Sequence, residues 1–176
     1  MNYTPGRKKP IRLIVIHTEE SQEIEGSAKR VGLWLKGRSD ASAHITVDDK
    51  GWFQVVNDSD TAWGAPGANQ DGLHAELAGQ ASQTPAQWAD AYSTAMLSVL
   101  AKKVALWCHT YHIPAVHLTP AQVADGKTRG ICGHIDVTKA FPLLAKMYGS
   151  HSDPGVNFPW TSFLANVQKE LSLLGK

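Results

Sequence analysis

Three separated segments of this 176-residue chain carry side chains suited to holding a metal ion. His17 ends the run Ile11-Arg12-Leu13-Ile14-Val15-Ile16, His134 lies in Gly133-His134-Ile135-Asp136-Val137, and Asp153 lies in His151-Ser152-Asp153-Pro154-Gly155. Two neutral imidazoles and a carboxylate are good donors for Zn2+, and three protein ligands leave a position open for water or a substrate carbonyl. The segments are far apart, with no HExxH helix to supply the set locally, so the fold must assemble it. Taken singly, each residue is ordinary. A histidine beside apolar residues is commonly a packed core group, and an aspartate before Pro-Gly is a common turn former. Glu76 adds a carboxylate able to take a proton from water and return it to a leaving group. Its ordinary alternative is a surface ion pair.

The elements that must position these groups are readable from pattern. Leu13–His17 is rich in β-branched residues and reads as a buried strand ending at the imidazole. Leu73–Ala78 alternates, with Leu73, Ala75 and Leu77 on one face and His74, Glu76 and Ala78 on the other. Helical spacing runs over 28–35 and stops at Gly37. Ser42–Val47 and Trp52–Val56 flank Asp48-Asp49-Lys50-Gly51, a hairpin signal whose glycine suits a positive φ. Residues 57–71 are rich in Gly, Pro and Asx and read as an ordered surface loop. Thr84-Pro85-Ala86-Gln87 and Thr119-Pro120-Ala121-Gln122 are both capping boxes with proline at the first helical position. The first should open a helix running to about His109 that buries Trp88, Tyr92, Met96 and Val99. The last helix should begin near Thr161 and bury Phe163, Leu164, Val167 and Leu171. Residues 1–10 read as a loose lead-in, and residues 11–176 as one α/β domain with a central mixed sheet flanked by helices.

Composition narrows the function classes. Seventeen Lys+Arg against sixteen Asp+Glu give a formal net charge of +1. Nothing in that balance steers the chain toward nucleic acid or an anionic membrane. No apolar stretch approaches the roughly 20 residues needed to span a bilayer, so no membrane insertion is expected. The N-terminal apolar run is short and broken by Arg12, against an h-region of about 7–15 residues in a signal peptide. Cys108 and Cys132 lack CxxC spacing and read as free thiols; Cys132 is two positions from His134.

The ordered set Ile14-Val15-Ile16-His17-Thr18, Ser42-Ala43-His44, Glu76-Leu77-Ala78-Gly79, Gly133-His134-Ile135-Asp136-Val137, and Asp153-Pro154-Gly155 followed by Phe158-Pro159-Trp160 resembles the zinc-dependent N-acetylmuramoyl-L-alanine amidases of the type-2 amidase and peptidoglycan-recognition superfamily, above all phage endolysin modules. The resemblance covers about Ile11 to Trp160. It implies one Zn2+ per chain held by His17, His134 and Asp153, with Glu76 as general base. It places His151 where many relatives carry a lysine that stabilises the oxyanion, a role an imidazole can fill as a hydrogen-bond donor. Where some relatives have a tyrosine, this chain has Ala43, which shifts weight onto Glu76. Trp52, Trp63, Asn69 and His74 would border the substrate groove, with core or loop packing as the alternative for the tryptophans and for His74. His44 and Asp136 would stand behind the ligands and orient them. The implied partner is bacterial peptidoglycan, bound by a monomer. The implied setting is a phage endolysin made in the host cytoplasm without a signal peptide and acting on the wall after release. A cytosolic amidase that recycles muropeptides, and a non-catalytic peptidoglycan receptor of the same fold, are the alternatives.

Overall fold

The computed structural model describes residues 2–175. Its centre is a five-stranded mixed sheet in the order β4 (Trp52–Gln54), β3 (Ile45–Val47), β6 (Gly72–Leu77), β2 (Leu13–Thr18) and β7 (Gly130–Gly133). Strand β2 is flanked by parallel β6 and parallel β7. β3 continues parallel to β6 and turns through a hairpin into antiparallel β4. All six residues of β2 are buried, as a parallel strand covered on both faces requires.

Strict alternation assigns each side chain to a layer. Ile14, Ile16, Leu73, Ala75, Leu77, Ile45, Val47 and Ile131 form one apolar cluster with Met96, Leu100, Val104, Phe163 and Val167. Those last residues belong to α3 (Ala91–Tyr111) and α7 (Trp160–Leu174), which cover that face together. The opposite parity places Leu13, Val15 and Cys132 in a second cluster with Leu118, Val123 and Val137. Val123 and Val137 come from α4 (Pro120–Ala124) and α5 (His134–Ala140). At the other end of this second face, α1 (Ser27–Gly37) lies on the hairpin. Its approach is close: a Cβ on Gly32 would stand 2.3 Å from the Phe53 ring and 2.9 Å from Thr46 Oγ1. Between α1 and α5, His17, His74 and Glu76 share the parity of this second face, with Gly64 packed against the buried His74 ring.

Several expectations hold and several need correction. Both capping boxes form as read, at Thr84 and Thr119. The helix opened at Thr84 does not run through, because α2 (Pro85–Trp88) stops after one turn and α3 starts afresh. Asp90 causes the restart, its carboxylate accepting the Ser93 N–H as a new N-cap. Trp88 turns inward against Phe158 at that break. The hairpin glycine Gly51 has no positive φ. Asp48 closes the turn instead, its Oδ1 accepting from the N–H groups of Lys50 and Gly51. Residues 2–10 are not loose: β1 (Tyr3–Thr4) pairs with β5 (Thr61–Ala62) inside the expected surface loop, and Arg7 donates to the carbonyls of Asp58 and Gly72. β7, α5 and α6 (Pro142–Tyr148) went unread, being short elements without a full period of apolar residues. Among the described residues, no helix is long and apolar enough to cross a membrane.

Candidate metal centre and substrate groove

Strand register builds the site. His17 and Glu76 are directly paired across β2 and β6, and Ile16 pairs with Gly133 of β7, so His134 follows at the sheet's rim. All three therefore sit at the carboxyl ends of parallel strands, the edge at which open α/β sheets bind ligands. Asp153 arrives from the loop after α6 and is stitched to the start of α5, its carbonyl accepting the Ile135 N–H at 2.8 Å. Gly133 permits the approach, since a Cβ there would stand 2.6 Å from Pro154 Cδ.

His17, His134 and Asp153 are all buried, and each offers a ligand atom within 4.8 Å of the others. His17 Nδ1 is 3.1 Å from Asp153 Oδ2, and His134 Nδ1 is 3.4 Å from Asp153 Oδ1. The two rings meet edge to face at 4.7 Å. Burial works against the Asp153 charge, but hydrogen bonds from His134 and His17 outweigh it and hold the carboxyl far below the usual carboxylate range. Burial first, and then the charge of His17, lower the His134 pKa against the pull of Asp153. Two imidazoles converging on one carboxylate are the donor chemistry that Zn2+ takes, so the residues present fit the ion.

Glu76 Oε1 stands 3.9 Å from His17 Nδ1, and the side chain is 19% exposed. Burial raises its pKa well above the usual value, with the Asp153 and Glu20 charges adding to it. His151 stacks on His134 with centroids 4.0 Å apart and planes 12° from parallel, and its Nδ1 is 3.7 Å from Asp153 Oδ1. Burial and then His134 lower its pKa, which favours the neutral ring at neutral pH.

These groups line a surface cavity of about 310 Å³. A second cavity of about 720 Å³ shares Trp63, Gly64 and His151 with it, so one cleft continues past the site. Trp63 lines both parts, its indole N–H tied to Thr4 Oγ1. Asn69 lines the second part, but its carboxamide oxygen is committed to the N–H groups of Gly64 and Ala65. Trp52 is not in the cleft. Alternation turns it to the α3 face, beneath the Lys103 ammonium, while Phe53 takes the α1 face. His74 is completely buried beneath His17 and borders no groove. Cys132 lies in the second core cluster, away from the cleft.

The supporting residues are placed as follows. Asp136 Oδ2 accepts the Gly133 N–H at 2.9 Å and lies 2.9 Å from His117 Nε2, which fixes the turn into His134. His117 stacks on Trp160. His44 does not touch a ligand; its Nδ1 accepts the His74 N–H and its Nε2 faces the Asp60 carbonyl. Burial lowers the His44 pKa to about 3, assisted by Arg7. The unfolded chain protonates this group below about 6.5 and the folded chain does so only near 3, so its contribution is intact above 6.5 and fades as pH falls. Thermal unfolding followed by calorimetry should therefore show stability falling on acidification from neutral pH toward 4.5, by on the order of 2 kcal/mol from this residue. A flat profile would contradict it.

The groove wall was missed by sequence reading. Trp34 of α1 and Arg38 just after it line the cleft, with Arg38 stacked over the indole at 4.6 Å and paired with Asp40. The available signal was that the α1 stripe Ala28, Gly32 and Leu35 leaves Trp34 off the core face, where it is 58% exposed. Glu19 also lines the cleft, and burial with the neighbouring Glu76 raises its pKa to about 8.

A search of curated proteins finds no match. Among solved structures the fold is similar to Staphylococcus aureus hydrolase AmiA in complex with its ligand, at 15% identity and TM-score 0.69, covering 99% of this chain and 82% of that one. It is also similar to PlyL, at 16% identity and TM-score 0.62, covering 94% and 88%. The N-acetylmuramoyl-L-alanine amidase LysC from Clostridium intestinale URNW matches at 14% identity and TM-score 0.62, covering 96% and 91%. At these identities the likeness concerns the fold. The sequence model of the N-acetylmuramoyl-L-alanine amidases matches residues 7–156, a span that contains every group of the buried triad and Glu76, and on that match the chain belongs to the N-acetylmuramoyl-L-alanine amidase family.

Proposed function

We propose that this chain is a zinc-dependent endolysin-type amidase that cleaves the amide between the lactyl carbonyl of N-acetylmuramic acid and the L-alanine of the stem peptide. The observation that carries it is the buried triad His17, His134 and Asp153 at the floor of an open cleft, with the Glu76 carboxyl beside it. His17 and His134 would each offer Nδ1 and Asp153 its carboxylate to one Zn2+. When bound, such an ion supplies Lewis-acid polarisation of the scissile carbonyl and lowers the pKa of a water. Glu76 accepts a proton from the attacking water and delivers it to the departing alanine amine. His151, held flat against His134 at the mouth of the site, donates a hydrogen bond to the developing oxyanion. Trp34 and Trp63 offer aromatic faces to the glycan or peptide along the cleft. The cleft runs on beyond the triad, which suits a polymeric substrate better than a small fragment. The acting site would be the bacterial wall, reached from the host cytoplasm on lysis.

The test is hydrolysis of purified sacculi by zinc-loaded protein, read as newly released L-alanine amino termini. Release from sacculi exceeding release from soluble muropeptides supports the wall-degrading reading. The reverse order favours a recycling amidase, and binding without release a receptor. In the same assay His151→Ala should lower kcat by about 10²-fold with zinc still bound. Near-normal turnover would remove His151 from the mechanism.

A further inference from the structure

On the second face of β6 one side chain has no part in the chemistry above. His74 is completely buried, and its Nδ1 lies 3.1 Å from His17 Nε2. Its own Nε2 is buried without a partner. A buried polar atom left unpaired is destabilising, so an apolar residue would fill this place at less cost. The surroundings are nonetheless shaped for an imidazole. A Cβ on Gly64 would stand 2.8 Å from the ring's Cγ and Nδ1, and one on Gly72 would stand 3.2 Å from its Nε2. The main chain is pinned as well. His74 N–H donates to His44 Nδ1 and the His44 N–H donates to the His74 carbonyl, both at 2.9 Å, with the two rings stacked 12° from parallel.

Proton bookkeeping gives this arrangement a purpose. His17 Nδ1 faces Asp153 at 3.1 Å and Glu76 at 3.9 Å, so a cation held there takes the Nδ1 lone pair. The ring's one proton then sits on Nε2, where its partner is His74 Nδ1. His74 accepts through that lone pair and keeps its own proton on Nε2, the atom that has no partner. Metal-binding imidazoles commonly donate to a carboxylate, a carbonyl or water. Here a neutral ring does the accepting, and it adds no charge to a site that already holds Asp153 and Glu76.

We propose that His74 is a positioning residue for His17: by accepting its Nε2–H it fixes the tautomer and ring plane that turn His17 Nδ1 toward a divalent cation. The proposal rests on His17 being a metal ligand. It is tested by zinc affinity, measured by competition with a chromophoric chelator. His74→Leu keeps bulk and removes the acceptor, whereas His74→Asn places an amide oxygen near the Nδ1 position. His74→Leu should bind zinc about 10–100-fold more weakly, and His74→Asn should recover most of that loss. Wild-type affinity in a folded His74→Leu protein, or equal losses in both variants, overturns the proposal. Should His74→Leu not fold, a long-range proton–nitrogen NMR spectrum of the zinc-loaded wild type decides. A His17 proton on Nε2 supports the proposal and one on Nδ1 overturns it. Failure of the wild type to take up zinc removes the proposed function first and this assignment with it. Normal wild-type uptake with an unaffected His74→Leu protein removes this assignment alone.

Discussion

Glu76→Gln is expected to fold, to hold zinc as the wild type does, and to lose about 10²- to 10⁴-fold in wall hydrolysis. Glutamine matches glutamate in shape but cannot accept and return a proton. Glu76 is fixed by register opposite His17, and its Oε1 stands 3.9 Å from His17 Nδ1. Without a cation, burial and the charges of Asp153 and Glu20 raise its pKa well above the usual value. A cation in the triad opposes that shift by attraction, leaving a carboxyl placed to cycle between proton acceptor and donor. Release of L-alanine amino termini and metal content, measured on the same preparations, check the expectation. A zinc-loaded Glu76→Gln protein with wild-type turnover would assign the base to another group, of which Glu19 is the neighbour in the cleft.

Chelation is expected to abolish hydrolysis, with recovery on adding Zn2+, while the chain stays folded. The triad lies at the carboxyl ends of the strands, outside both apolar clusters, so the core remains assembled without the ion. The ion still stabilises by mass action. At free zinc about 100 times its Kd the gain is about 2.7 kcal/mol, which for a chain of this size is a rise in Tm of about 5–10 °C. Removing the ion should also leave the negative Asp153 carboxyl bridged by His17 and His134, at 3.1 and 3.4 Å. Cooperative unfolding of the apo protein at a lower Tm fits this account. Loss of all structure on chelation would make the metal a structural one.

The elements with a full period were legible in the residues. β2 declares itself as a continuous β-branched apolar run and β6 by alternation, and the capping boxes at Thr84 and Thr119 are local chemistry that needs no partner. The grouping of His17, His134 and Asp153 beside Glu76 was legible through motif order, because strand ends and turns fix their immediate surroundings. Short elements were not legible. β7 is a four-residue strand with two glycines, and it becomes a strand because β2 and the backbone of Val116 and Leu118 offer it hydrogen bonds. The long helix was read as one because its apolar period continues past Asp90, where a side-chain cap competes successfully with continuation.

Sequence by itself determined the reactive inventory: which imidazoles and carboxylates exist, which faces of β2 and β6 they share, and the two capping boxes that open α2 and α4. These are matters of one residue and its near neighbours. Tertiary structure alone decided what each group touches. It turned Trp52 behind the sheet, brought Trp34 and Arg38 into the cleft wall, and sank His74 beneath His17. Alternation tells on which face a side chain lies, but whether that face meets solvent, a helix or another ring depends on elements far away in the chain. Gly64 leaves room for the His74 ring, and nothing within a few residues of it reveals this.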